Sequence, residues 1–316
     1  MTTTMPDREL PRTEPLDPAA IVEESVRLLL DRYVFPDVAA ELAVLLRERL
    51  AAGAYRTQEP AELAERVTAD LQSVNGDRHL RLIHHETPVP EGEGAATLAL
   101  MRRRFDASLG GVPRLELLEG GVAVLELGPA FFPVDWAAET FGPALALASR
   151  AEALVLDLRG NRGGDPDTVA FVCSYLLDER THLNTMHWRE GGRTLTAESW
   201  SLPYVPGPRF GGSKPLYVLT GPGTFSAAEE CAYDLQQLGR AVIVGEPSGG
   251  GAHPREGYTV HPNLEVSVST GRAVNPVSGT NWEGTGVQPD VPVPAAEALD
   301  RAVELARERL TALSSS

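Results

Sequence analysis

Two short segments of this chain place residues able to do chemistry at the end of a buried strand. Residues 216–230 read LYVLTGPGTFSAAEE. The apolar run Leu216–Leu219 has the texture of a strand buried on both faces. Gly221-Pro222-Gly223 turns the chain, and Ser226 opens a helical pattern. A serine there sits at the end of a strand where open α/β sheets bind ligands. It lies in the positive field of a helix N-terminus, and the N–H of Ala227 is free of helical partners. That is the setting of a nucleophile with half of an oxyanion hole. The same residues serve a plainer purpose, since Ser226 and Glu229 have the spacing of a capping box.

The second segment, residues 154–164, reads LVLDLRGNRGG. A buried strand runs into Asp157-Leu158-Arg159-Gly160-Asn161-Arg162-Gly163-Gly164. Paired glycines after a strand let the backbone approach a ligand and present its N–H groups. A tight turn uses the same residues. For a base, the chain holds one lysine, Lys214, against 27 arginines. His79 follows Asn75-Gly76-Asp77-Arg78, and His253 follows Gly249-Gly250-Gly251-Ala252. An imidazole has the pKa range to take a serine proton near neutrality. Each histidine also reads simply as a loop or capping residue.

Taken together and in this order, the two segments and the run Gly239-Arg240-Ala241-Val242-Ile243-Val244-Gly245-Glu246-Pro247 resemble the C-terminal processing (tail-specific) serine peptidases. The branch without a PDZ domain is the nearer likeness. It includes the repeats of interphotoreceptor retinoid-binding protein, with the core domain of tricorn protease as a relative. The resemblance covers residues 17–300 in organisation and is most specific over 154–251. It implies Ser226 as nucleophile, with an oxyanion hole from the N–H groups of Ala227 and of Gly163 or Gly164. Tail-specific enzymes place their lysine base 25 residues after the serine, which here is Gly251. Lys214 precedes the strand leading to Ser226, so a Ser–Lys dyad is excluded. The tricorn-like branch uses histidine and a late acid instead, and on that pattern His79 is the base and Glu283 orients it. Arg78 stands where the tricorn core has serine directly before the histidine. His253, close to the vacant lysine position, is the rival base or a substrate contact.

These residues need a scaffold. The alternation of apolar runs with helical stretches from Gly121 onward predicts an α/β layer fold with a largely parallel sheet. The resemblance implies a Clp protease/crotonase-like spiral α/β domain preceded by a small N-terminal helical domain. The expected division is a disordered tail over 1–16, a helical domain over 17–87, a connector over 88–120 with a strand or two, and an α/β catalytic domain over 121–316. Asp17 and Asp37 are expected as helix caps, with a third helix from Pro60. The span Thr87–Gly121, about 35 residues, is too short for a PDZ-sized module. Residues 181–213 are a candidate lid.

Composition narrows the partners. The formal net charge of −16 over 316 residues speaks against nucleic acid. The N-terminus lacks a signal-peptide core and no apolar run is long enough to span a bilayer, so a cytoplasmic protein without membrane partners is expected. Cys173 and Cys231 form no zinc pattern. No P-loop, GxSxG, HExxH or GxGxxG motif occurs. The expectation is therefore a serine peptidase or hydrolase acting on a peptide or small molecule, with no metal, no cofactor and homo-oligomerisation left open. Two alternatives stand beside it. One is a non-proteolytic protein binding an apolar ligand against Phe131, Phe132, Trp136, Trp188 and Trp200; the other is an acyl-transfer or cyclisation enzyme using the same serine.

Overall fold

The fold comes from a computed structural model, which describes residues 15–88, 95–190 and 193–315. The expected tail thus falls almost wholly outside the described residues, as do Gly191 and Gly192.

Three helices open the chain: α1 (Pro18–Arg32), α2 (Pro36–Ala51) and α3 (Pro60–Leu71). Each starts on a proline, whose fixed φ suits the first turn and whose missing N–H costs nothing there. Asp17 caps α1, its Oδ1 accepting from Ala19 and Ala20 N–H at 3.0 and 3.2 Å. At α2 the cap position belongs to Phe35, and Asp37 lies inside the first turn, where its charge favours the dipole instead. The apolar faces of these helices bury Val22, Val26, Leu42, Leu63 and Val67 completely. Local sequence does not close this core. It is closed by β1 (Arg81–His84) and by a hairpin from far along the chain, β9 (Arg255–His261) and β10 (Leu264–Ser269), paired in the order β1-β10-β9. Leu264, Val266 and Val268 pack among the helices.

The central sheet runs β12-β8-β7-β4-β3-β2. Its members are β2 (Arg114–Leu118), β3 (Val122–Glu126), β4 (Ala153–Asp157), β7 (Leu216–Thr220), β8 (Val242–Gly245) and β12 (Val291–Pro292). All neighbours are parallel except the edge pair β2–β3. One face carries α5 (Val134–Ala148), α6 (Pro166–Leu176) and α7 (Ala227–Gln237) around Leu125, Leu156, Val218 and Ile243. The other carries α8 (Ala298–Ser314) on Val124, Val155, Leu219 and Val244. With both faces covered, every residue of β4 and β7 is buried, which explains their continuous apolar runs. A third sheet, β11-β5-β6, joins β11 (Gly271–Val274) to the hairpin β5 (His182–Glu190) and β6 (Arg193–Trp200).

The span expected as a connector holds β2 and also a helix, α4 (Ala95–Ala107). Arg102 on that helix lies over the rings of Phe105 and Trp136 at 5.1 and 5.3 Å, so its stem packs while its charge stays wet.

Candidate active site

The two strand ends singled out by sequence are bolted together. Thr224 Oγ1 donates to Leu158 O at 2.9 Å, and Phe225 N–H donates to Asn161 O at 3.1 Å. Adjacent parallel strands β4 and β7 therefore deliver their turns to one place. Asn161 is fully spent inside the turn: Nδ2 donates to Leu127 O at 3.0 Å and Oδ1 accepts from Gly163 N–H at 2.9 Å. Gly163 has φ +88°, and a Cβ there would lie 2.7 Å from Ser226 Cβ and 2.9 Å from Ala227 N. Only glycine permits that approach of the two turns.

Ser226 has φ 53° and ψ −123°, outside the extended region a cap residue ordinarily adopts. Apart from the glycines, only Leu109 shares a positive φ among the described residues. Such a conformation costs on the order of 1–3 kcal/mol and persists only where the surroundings enforce it. Glu229 is what enforces it. This buried carboxylate accepts from Ser226 N–H at 2.7 Å, Ser248 Oγ at 2.6 Å, Gly250 N–H at 2.6 Å and Gly251 N–H at 2.9 Å. Burial raises the Glu229 carboxyl above the usual range, and these four hydrogen bonds work against the rise. The capping-box acid thus also ties the loop 248–251 to the start of α7, a reach that spacing alone does not reveal.

His79 is 5% exposed and follows an Asx turn in which its own N–H donates to Asp77 Oδ1 at 3.0 Å. Its ring packs on Phe225, the residue before Ser226, with centroids 4.9 Å apart. A Cβ placed on Gly251 would lie 2.7 Å from His79 Cε1. The His79 and Phe225 rings together fill the space into which a side chain at 251 would project, Phe225 Cζ lying nearest at 2.3 Å. Its Nδ1 is buried without a hydrogen-bond partner. One His79 nitrogen, an Asp77 oxygen and a Glu283 oxygen all lie within 4.8 Å of one another. Burial pushes the His79 pKa down to about 4, Asp77 opposing this and the nearby His253, Arg255 and Arg81 adding to it.

Glu283 makes no hydrogen bond to His79. Its Oε1 accepts from Arg78 N–H at 3.0 Å and its Oε2 from Ala252 N–H at 2.5 Å, so it fastens the backbone beside both histidines. Burial raises its carboxyl, with His253 opposing. His253 turns away from the serine: its Nδ1 lies 3.1 Å from Asp77 Oδ2 and 3.5 Å from Glu283 Oε2, and its ring meets Phe35 edge-on. Asp77 is wholly buried and also accepts from Tyr33 Oη at 3.0 Å. Burial alone would raise Asp77, but the bonds from His253 and Tyr33 outweigh it and hold the carboxyl below its usual range. Sequence reading passed over Asp77, whose one signal is its place two residues before His79. Asp77, His79 and Glu283 are the set among the described residues with the spacing to hold a metal ion. Their carboxylates are already committed to these donors, which leaves few lone pairs for a cation.

Lys214 donates its ammonium to Ser149 O at 2.5 Å and Ala151 O at 2.9 Å, at the start of β7. Ser226 follows the other end of that strand, on the order of 13 Å or more away.

A cavity of about 420 Å³ opens beside Ser226. Its lining includes His79, Gly164, Ser226 and Ala227, the apolar Met186, Trp188, Ala273 and Trp282, and the acid Glu230. Arg81, Arg162 and Arg255 line it from the solvent side. His253 is not part of the lining. Of the aromatics expected to form an apolar cleft only Trp188 reaches it. Phe131 and Phe132 are buried in the core, Trp136 lies against Phe105, and Trp200 stacks on His182. Residues 181–213 supply the β5–β6 hairpin, whose β5 gives Met186 and Trp188 to the wall.

The profile of peptidase family S41 matches residues 136–293, half of the chain. The chain belongs to peptidase family S41. Residues 17–104 match the N-terminal domain described for S41 peptidases in eukaryotic interphotoreceptor retinoid-binding protein. A curated relative is the chloroplastic carboxyl-terminal-processing peptidase 2 of Arabidopsis thaliana, 30% identical over 146 residues. That alignment covers 46% of this S41 chain and 27% of the relative, so the chain spans about a quarter of that protein. Among solved structures, a putative peptidase from Parabacteroides merdae superposes with a TM-score of 0.65 at 17% identity, covering 92% of this chain and 97% of that one. Tricorn protease superposes at 0.61 and 12% identity over 93% of this chain and 37% of its own. These likenesses establish the fold. Among the described residues, no helix of this S41 chain is long and apolar enough to cross a membrane.

Proposed function

We propose that this chain is a serine peptidase of the Ser–His type, with Ser226 as nucleophile and His79 as general base. The observation that carries the reading is the exchange at position 251: glycine leaves open the volume that the His79 and Phe225 rings fill, beside a serine held in a strained conformation at a helix N-terminus. Ser226 Oγ attacks the substrate carbonyl carbon while its proton passes to His79. The oxyanion takes hydrogen bonds from the N–H groups of Ala227 and Gly164. Gly164 is the better second donor than Gly163, whose N–H already serves Asn161. His79 then gives the proton to the leaving amine and the acyl-enzyme forms. Water, deprotonated by the same imidazole, releases the acid.

Burial keeps His79 uncharged at neutral pH, which is the form a base needs. The Asp77 and Glu283 carboxylates stand close enough to stabilise the imidazolium that forms in the transition state. His253, held between the same two carboxylates, fixes their positions. A purely apolar ligand fits the cavity poorly, because three arginines and Glu230 line it.

The test is direct. Purified protein is incubated with a peptide library and examined for cleavage, and an acyl-enzyme is sought by intact mass in an acid quench. Cleavage that vanishes in Ser226→Ala, with the acyl adduct mapped to Ser226, supports the reading. Cleavage that persists in well-folded Ser226→Ala refutes it.

A further inference from the structure

Glu230 lies in the first turn of α7, four residues after the cap residue Ser226, and its N–H donates to Ser226 O at 3.0 Å. Helical side chains lean toward the N-terminus of their helix, which aims this carboxylate back toward the serine. Glu230 is 5% exposed and the small exposed part belongs to the cavity lining. Its hydrogen bonding is thin: Asn184 Nδ2 approaches Oε1 at 3.4 Å, and among the described residues no arginine or lysine pairs with it. Apolar Met186, Trp188 and Ala273 line the same cavity. A buried acid without a cation is costly. Burial raises its pKa to about 7, with Asp167 and Asp165 adding to the rise and Asn184 opposing it. An acid kept in such a place, facing an open cavity, is a receptor for a cation that arrives with the ligand.

We infer that Glu230 selects the substrate: the residue whose carbonyl Ser226 attacks carries an amine or guanidinium on a long aliphatic stem, that is, lysine or arginine. The inference rests on the reading of Ser226 as the acylating nucleophile. The geometry fits the length. One helical turn separates the two side chains, a rise of about 5.4 Å, and a lysine or arginine stem spans that distance along the apolar wall. Shorter side chains leave the carboxylate unpaired. Arg81, Arg162 and Arg255 stand on the solvent side of the cavity, while Glu230 is enclosed. They leave the cavity positive at its opening and negative at its floor, so acidic residues suit the flanking positions and a basic one the pocket.

The test uses matched fluorogenic peptides that differ only at the residue before the cleaved bond: lysine, arginine, norleucine, citrulline and glutamate. The ratio of kcat/KM for lysine over norleucine is internal to each variant, so a change in overall activity does not enter it. The expected ratio is about 10²-fold or more for the wild type. It should drop by most of that factor in Glu230→Gln and disappear in Glu230→Leu. A wild-type preference for norleucine, or a ratio unmoved by Glu230→Leu, overturns the inference. Calorimetry with N-acetyl-lysine amide against N-acetyl-norleucine amide separates recognition from chemistry. Glu230-dependent binding of the lysine amide by a protein that cleaves nothing upholds the pocket and sinks the nucleophile. Equal binding of both amides by a protein that does cleave peptides sinks the pocket and leaves the nucleophile standing.

Discussion

Adding a single methyl group at position 251 should nearly silence the site while leaving the fold intact. In Gly251→Ala the new Cβ would lie 2.3 Å from Phe225 Cζ, 2.6 Å from Phe225 Cε2 and 2.7 Å from His79 Cε1. Ordinary carbon contacts sit near 3.5–4.0 Å, so both rings must retreat by roughly 1 Å. Phe225 cannot retreat freely, since its N–H is bonded to Asn161 O and its neighbour Ser226 is held by Glu229. The Phe225 ring turns aside and, because it packs on His79 with centroids 4.9 Å apart, the imidazole is displaced as well; a displacement of about 1 Å between reacting groups costs on the order of 10²-fold in rate. Overpacking of this size costs about 1–3 kcal/mol of stability, a drop of several degrees in Tm for a protein of this length. The assay is the second-order rate of fluorophosphonate labelling, followed by intact mass beside a melting curve. Labelling slowed about 10²-fold in a protein melting within about 10 °C of wild type agrees with the reasoning. Wild-type labelling by folded Gly251→Ala refutes it, because the imidazole could not then be the base in the place described.

Other expectations follow from the same contacts. Ser226→Gly should raise stability by about 1 kcal/mol in denaturant melts, because glycine adopts φ 53° without strain, while labelling is lost. In Glu230→Gln, where that carboxyl cannot titrate, the acid limb of the labelling rate should lie well below pH 6.5, toward about 4, since the base works uncharged and burial lowers its pKa; an inflection there at or above 6.5 goes against His79. The same shift sets a stability trend. The unfolded chain takes up a proton below pH 6.5 that folded His79 refuses until about 4, so this contribution is complete above 6.5 and about 3 kcal/mol is lost by the time pH falls through 4. Glu229→Gln leaves a single acceptor oxygen and introduces an NH₂ among four donors; about 2–3 kcal/mol of stability should vanish, and labelling with it, as the 248–251 loop comes loose.

The strand-turn-helix units of the central sheet were legible because their strands are covered on both sides by helices, and continuous burial writes itself into sequence as unbroken apolar runs. Ser226 was legible for the same reason, since a helix start after such a strand has one place to be. The proposed base was another matter. His79 and Ser226 are separated by 147 residues, and no periodicity carries information across that distance; family resemblance nominated His79, and the space above Gly251 gives the nomination a physical ground. Asp77 and Glu230 were passed over because a lone acid in a turn or on a helix has a bland use, and only packing reveals that both are enclosed. The helix α4 was missed for a similar reason: Arg102–Arg104 and a preceding run of glycine and proline mask its buried anchor, Phe105. The role of β9 and β10 in closing the helical core is a long-range pairing that their own alternation does not disclose.

The most direct measurement of the central claim is fluorophosphonate labelling of three single variants beside wild type: Ser226→Ala, His79→Ala and His253→Ala, each shown to be folded by its near-ultraviolet circular dichroism. The account predicts stoichiometric labelling of wild type at Ser226 and none in Ser226→Ala. It predicts a loss of about 10³-fold or more in His79→Ala. For His253→Ala it predicts a smaller loss, because that ring supports the carboxylates without facing the serine. Fast labelling of folded His79→Ala, with labelling abolished in His253→Ala, would contradict the account.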